Sequence, residues 1–270
     1  MNNQISKRFK TESVFLLGIS SLSYFGFSPV LLTQIPGKNL GQEIIFISSK
    51  KKTPPPSRGT PEAEEGTGSR GVCPYRIDMP PLTSLTGNKD LNTTTARRPS
   101  FWIYLPYSIT QVSRGEFTLQ DGENDLYRTQ VKLPANIPGI IEIQLPSGST
   151  PLEVGQEYRW YFEIDCSNES SNESDSLATL TGTVCLVEPS AELNREIELA
   201  QTPLERVKIF AKHGIWHETL AQLIKLRSQE PENLTYQKMW NQLLRQPEVD
   251  KTDIINASFV GKVGISTSTQ

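Results

Sequence analysis

The stretch LEVGQEYRWYFEIDC, residues 152–166, constrains this chain more than any other. From Tyr158 it alternates: Tyr158, Trp160, Phe162 and Ile164 fall on one side, and Arg159, Glu163 and Asp165 on the other. Successive side chains of extended backbone point to opposite faces, so this period of two in aromatic and β-branched residues specifies a half-buried strand. The approach to it, Leu152-x-x-Gly155-x-x-Tyr158, has the layout of a tyrosine corner, in which a Tyr entering a strand bonds back to upstream backbone. The strand is expected at the centre of a β-sandwich.

The neighbouring sequence fits that expectation. Residues 101–107, FWIYLPY, are apolar on both faces, as an inner strand is, and Pro106 bends or ends the run. Residues 116–120 and 126–133 flank Asp121-Gly122-Glu123-Asn124-Asp125, with Tyr127, Thr129, Val131 and Leu133 sharing one face, the pattern of a hairpin. Pro138-Gly139 turns the chain, Ile141, Ile143 and Leu145 form the next inward set, and Pro146-Ser147-Gly148 closes it. After the central strand the polar run SNESSNESDS leads to a last strand over residues 177–187. Turn-linked strands at this spacing predict an Ig-like or Greek-key antiparallel β-sandwich of about seven short strands over residues 72–188.

Past Pro189 the period lengthens, which makes the fold class α+β. Ser190 caps a helix carrying Leu193, Ile197 and Ala200 on one face. Thr202-Pro203-Leu204-Glu205 has capping-box spacing with Pro at the first helical position. Leu204, Val207 and Ala211 make its buried stripe, and Gly214 stands where a left-handed cap belongs. A third helix over 216–229 turns Leu220, Leu223 and Leu226 inward, and Asn233 caps a fourth with Tyr236, Trp240 and Leu244. Phe210…Gly214-x-Trp216…Leu220…Pro231-x-Asn233 is similar to one tetratricopeptide-like hairpin within a helical region at 189–247. A single copy cannot bury its own apolar face, so it needs the sandwich or a partner to pack against. The Ser/Thr-rich end, 248–270, reads as a loose tail in which Ile254, Ile255, Phe259 and Val260 can dock locally.

The N-terminal part reads differently. Lys7, Arg8 and Lys10 precede an apolar run over residues 14–32, the plan of a secretory signal, with an uncleaved membrane anchor as the alternative for residues 1–33. Both place the remainder in the periplasm, the cell envelope or the medium. Residues 34–71 read as a disordered Pro/Gly-rich linker, since SSKKKTPPPSRGTPEAEEGTGSR offers no periodic apolar surface to offset ordering entropy. The low apolar content of the chain, 36%, agrees with such non-globular length. A net charge of −3 excludes the basic face of a nucleic-acid binder, and Lys50-Lys51-Lys52 and Arg97-Arg98 are too short to reverse that.

Of the three cysteines, Cys166 ends the central strand and Cys185 lies near the far end of the next. In a hairpin they stand roughly 20 Å apart at about 3.3 Å per residue, whereas a disulfide needs α-carbons within about 7 Å. Cys73 is therefore the better partner for Cys166. Cys185 is left as a buried thiol or as one pairing between molecules.

Signals for catalysis are sparse. The two histidines, His213 and His217, have a helical spacing, but Gly214 between them ends a helix and no Cys or Asp completes a zinc set. His213 reads as a positive group at a helix C-terminus. No G-x-S-x-G or P-loop occurs, so no catalytic residue, metal or cofactor is assigned. A hydrolase would need a cleft gathering His217, Glu218 and a Ser or Thr. Glu169, Glu173 and Asp175 lack the spacing and glycine of a calcium loop. The remaining lead is aromatic: Trp102, Tyr104 and Tyr161 point away from the core sides of their strands, either to stack on sugars or to lie under the helices.

Several pieces together resemble a cyanobacterial family known only as a domain of unknown function, DUF928. They are Arg58-Gly59-Thr60-Pro61, Gly68-Ser69-Arg70-Gly71-Val72-Cys73-Pro74, the FWIYLPY strand, residues 152–166, and Gly214-Ile215-Trp216-His217-Glu218. The resemblance implies an exported cyanobacterial protein and supplies no activity or catalytic residue. The expectation is a non-enzymatic protein-interaction or structural module of the cell envelope, with an envelope protein as partner and the membrane reached only through an uncleaved N-terminal segment. The alternative is a carbohydrate-binding accessory protein using Trp102, Tyr104 and Tyr161.

Overall fold

The alternating stretch forms the strand β7 (Glu157–Cys166), in which every second residue from Tyr158 is buried. It belongs to a computed structural model that describes residues 43–48, 73, 78–87, 91–166 and 176–265. The described residues all fall in the unit Leu40–Gln270. The N-terminal apolar run, residues 34–42 and 49–71 of the linker with Arg58 and Pro61, and the polar loop with Glu169, Glu173 and Asp175 lie outside the described residues.

The fold is α+β, with ten strands and four α-helices among the described residues. Six strands make one sheet. Its middle is the run β5 (Asn124–Lys132), β4 (Val112–Asp121), β7 and β8 (Ser176–Leu186), all antiparallel. At its edges lie β10 (Gly264–Ile265), beside β5, and β2 (Thr93–Thr94), beside β8. The second sheet has the order β1 (Thr83–Ser84), β3 (Ser100–Leu105), β6 (Gly139–Gln144), β9 (Phe259–Lys262).

The expectation of a wholly antiparallel arrangement is corrected at two places. β2 runs parallel to β8, and β9 parallel to β6. Neither pair is joined by a tight turn. Long stretches of chain separate the partners in each, which is the condition under which parallel pairing is reachable.

The sheets face one another across a core built from alternate residues of both. Phe101, Ile103, Ile141 and Ile143 come from one sheet, and Phe117, Leu119, Trp160, Phe162, Ile164, Leu180 and Val184 from the other. The rings of Phe101 and Phe117 lie 4.8 Å apart, and those of Phe101 and Trp160 5.7 Å. Trp160 faces Gly182 across the β7–β8 pair, and a Cβ there would stand 2.6 Å from the indole. Only glycine leaves the ring that space.

The opposite face of the four-stranded sheet is apolar too. Trp102, Tyr104 and Ile140 join Val207, Ala211, Trp216, Leu220, Leu223, Trp240 and Leu243 in a second cluster. Those partners come from α2 (Pro203–Lys212), α3 (Trp216–Gln229) and α4 (Leu234–Leu244), which follow α1 (Ala191–Leu199). The helices start where the sequence sets them. Ser190 Oγ accepts from Leu193 N, Thr202 and Glu205 form a reciprocal capping box, and Asn233 Oδ1 accepts from Thr235 N and Tyr236 N.

Two expectations about disorder are corrected within the described residues. Ile44 and Phe46, assigned to the linker, are buried in the helical cluster. The C-terminal stretch is not loose: Val249 and Ile254 are buried, and β9 and β10 pair with opposite sheets. Ile140 N donates to Ser258 O at 2.8 Å, Val263 N donates to Glu142 O at 2.9 Å, and Lys262 Nζ lies 3.3 Å from Glu142 Oε2. A four-residue strand among Ser and Thr carries no periodicity of its own, so partner strands alone define it.

Candidate functional site

Acid, base and hydroxyl groups come together at the start of α3. Ile215, its N-cap residue, provides no side-chain acceptor, so neighbouring elements supply the polar partners. Thr93 Oγ1 donates to Gly214 O at 2.5 Å and accepts from Trp216 N at 3.3 Å. Trp216 Nε1 donates to Leu85 O at 2.7 Å. Glu218, in the first turn, reaches the segment after β2. Its Oε1 accepts from Thr94 Oγ1 at 2.9 Å, Thr95 N at 3.0 Å, Thr95 Oγ1 at 3.1 Å and Ala96 N at 3.0 Å.

His217 points to the other sheet. Its Nδ1 lies 2.9 Å from Ser100 O on β3, and its ring meets Phe101 edge-on at 5.8 Å. A carbonyl only accepts, so Nδ1 carries the proton and Nε2 is the bare nitrogen. His217 is 3% exposed, and burial drives its pKa down to about 4 against a smaller upward pull from the Ser100 carbonyl. The imidazole is neutral at pH 7. Burial pushes the Glu218 carboxyl up, and the hydrogen bonds from Thr94 and Thr95 oppose that. His217 Nε2 and Glu218 Oε2 are buried without hydrogen-bond partners.

The cluster therefore gathers His217, Glu218 and hydroxyls, but not as a nucleophile–base pair. His217 engages the Ser100 carbonyl, while Ser100 Oγ donates to Glu142 Oε1 at 2.6 Å. The Thr94 and Thr95 hydroxyls are committed to Glu218. The arrangement fastens the helical layer to both sheets, through β2 on one side and β3 on the other. Sequence reasoning passed over Thr93, Thr94 and Thr95; three hydroxyl residues in a row, short of an inner strand, were the available signal.

The other residues singled out by sequence fall in separate places. Cys73 and Cys166 form a disulfide with α-carbons 5.6 Å apart. Cys185 takes no part in it: in the β7–β8 register it stands opposite Glu157, at the end of the hairpin away from Cys166. Leu152 is fully buried, Gly155 has a φ of +82°, and Tyr158 Oη accepts from Glu153 N at 3.0 Å, closing the corner.

The candidate binding face of Trp102, Tyr104 and Tyr161 is not one surface. Trp102 and Tyr104 lie beneath the helices, because the outer side of the four-stranded sheet is the one the helical layer covers. Tyr161 is half-buried on the outer side of the six-stranded sheet, between Thr118 and Thr181. Beside it Glu116 and Glu163 face each other across β4 and β7, and Arg128 Nη1 lies 3.2 Å from Glu116. Burial first, then Glu116, raises the Glu163 carboxyl.

His213 is the C-cap residue of α2, with Nε2 3.0 Å from Glu196 Oε2. Among the described residues, Glu192, Glu196 and His213 bring ligand-type atoms within 4.8 Å of one another. Lys212 Nζ stands 2.6 Å from Glu196 and 3.7 Å from Glu192, so an ammonium holds the position a cation would take. Also among the described residues, no helix is long and apolar enough to cross a membrane.

This geometry defines a two-sheet α+β protein with a disulfide-tied core strand and a helical layer fastened on by a buried acid. The family model described as Domain of Unknown Function (DUF928) matches residues 65–259, and the chain belongs to that family. No curated protein and no solved structure matches it.

Proposed function

We propose that this protein is an exported, non-enzymatic module of the cell envelope that binds another protein or serves structurally. Its sheets are read as an Ig-like or Greek-key sandwich, its helices as a tetratricopeptide-like hairpin packed on it, and its source as cyanobacterial. The carrying observation is the fate of His217 and Glu218. Both side chains are buried and spent on joining helices to sheets, His217 on the Ser100 carbonyl and Glu218 on Thr94 and Thr95. The Cys73–Cys166 disulfide supports an oxidising compartment. The sugar-binding reading is left with Tyr161 alone of its three aromatics, since Trp102 and Tyr104 are covered.

The test is capture from an envelope fraction with full-length, oxidised protein, run beside retention on envelope polysaccharide. The expected result is a protein partner identified by mass spectrometry whose binding is reproduced with purified components. Polysaccharide retention abolished by Tyr161→Ala would replace this reading with the carbohydrate one.

A further inference from the structure

Where the turn between α1 and α2 passes the C-terminal half of α3, the helical layer opens into a cleft of about 410 Å³. Leu226 and Pro203 contribute apolar wall. Its charged lining is of one sign. Arg206 comes from the first turns of α2, and Lys225 from α3. Gln222, Lys225 and Gln229 follow one another at spacings of three and four, which puts them on one face of the helix. No carboxylate lines the cleft. Glu205, beside Arg206 in sequence, is turned to the backbone: its Oε2 accepts from Gln201 N at 2.6 Å and from Thr202 N at 3.1 Å.

Other cations of these helices are engaged. Lys212 Nζ stands 2.6 Å from Glu196, and Arg227 lies over the Trp240 ring at 4.4 Å. Arg206 and Lys225 are exposed, and among the described residues neither side chain makes a hydrogen bond or an ion pair. Two unpaired cations on one cleft favour an anion between them, and a guanidinium presents a fork that matches carboxylate or phosphate. The Gln222 and Gln229 amides can each donate and accept, which suits hydroxyl groups. The volume falls in the range of small-molecule sites, about 300–1,000 Å³, and a bare inorganic anion would leave most of it empty.

We propose that this cleft binds a small organic anion that also carries hydroxyl groups, an acidic or phosphorylated sugar. Arg206 and Lys225 hold its charged group, Gln222 and Gln229 its hydroxyls, and Leu226 and Pro203 its apolar side. The site shares no residue with the Tyr161 sheet face, so it is distinct from the sugar reading of that face and independent of the capture of a protein partner.

The test is isothermal titration of the full-length, oxidised protein at low ionic strength with glucuronate, glucose phosphate, glucose and inorganic phosphate. Glucuronate or glucose phosphate is expected to bind saturably, and the tighter of the two identifies the charged group as carboxylate or phosphate. Glucose should not bind, and inorganic phosphate should bind roughly tenfold or more weakly than the tighter sugar. Arg206→Ala and Lys225→Ala are each expected to weaken binding roughly tenfold, while Tyr161→Ala leaves it unchanged. No saturable binding of either anionic sugar overturns the proposal. So does glucose or inorganic phosphate binding as tightly as they do, or affinity that survives both Arg206→Ala and Lys225→Ala. The wild type supplies a further readout that needs no variant: its affinity must fall as salt is added, and affinity indifferent to salt overturns the proposal equally. The titration uses purified protein and small molecules, so its failure leaves the envelope role standing, and a failed envelope capture leaves the cleft standing.

Discussion

The carboxylate of Glu218 and the backbone amide of Ala96, 122 positions apart in the chain, meet at 3.0 Å. Three further donors from Thr94 and Thr95 converge on the same oxygen. Removing the acceptor leaves buried donors without a partner, which costs more than the bonds themselves contribute. Glu218→Ala is expected to lower unfolding stability by about 3–5 kcal/mol. Glu218→Gln keeps one carbonyl oxygen and loses about 1–2 kcal/mol. Urea unfolding at pH 7, followed by near-UV circular dichroism, measures both. Equal losses would show that the acceptor oxygen is unimportant.

His217 gives stability a definite pH dependence. Its pKa falls from 6.5 in the unfolded chain to about 4 in the fold. Between those values the unfolded chain binds the extra proton, so stability rises with pH across that window and is lost as pH falls through it. The loss amounts to about 3 kcal/mol by pH 4. Glu218 acts in the opposite sense. Its raised carboxyl favours the fold while protonated, and that contribution fades as pH rises above 4.5 through the folded value. In denaturant titrations from pH 4 to 8, His217→Asn, whose amide can still donate to Ser100 O, is expected to flatten the acid limb. An unchanged acid slope in that variant would assign it to other groups.

The disulfide ties Cys73, ahead of the first strand of either sheet, to the end of the core strand. Cys73 and Cys166 are separated by 93 positions. Closing so long a loop restricts the unfolded chain, and Cys73→Ser with Cys166→Ser is expected to cost about 2–4 kcal/mol. Thermal unfolding with and without reductant reports it. Reductant should lower the midpoint of the native protein and leave that of the double variant unchanged.

Gly182 shows that a small residue on a strand can matter as much as a large one. A Cβ at that position would stand 2.6 Å from the Trp160 ring, which is packed against Phe101 and Phe117. Gly182→Ala is expected to destabilise by about 1–3 kcal/mol through overpacking, with a changed Trp fluorescence spectrum. Gly148→Ala, where nothing lies within 4 Å of a Cβ, is the matched control.

Local chemistry settled much of this protein from the sequence. The alternation around Trp160 placed a strand and its buried face, because side chains on extended backbone alternate whatever packs on them. Ser190, Thr202 and Asn233 marked helix starts, since a cap needs only residues within one turn. The hairpin between Cys166 and Cys185 separated those two sulfurs by strand length alone, which left Cys73 as the bridging partner.

Tertiary structure decided what covers each face and which distant segments meet. Alternation grouped Trp102 with Tyr104, but not which sheet surface the helices would take, so the two became buried while Tyr161 stayed half-exposed on another sheet. Residues 43–48 and β9 have too few residues to signal order by themselves. Their stability comes from Trp216, Gln246 and β6, partners remote in the chain. The grip of Thr94 and Thr95 on Glu218 is of the same kind: a contact between remote residues exists only once the fold has met the loop-closure cost of bringing them together.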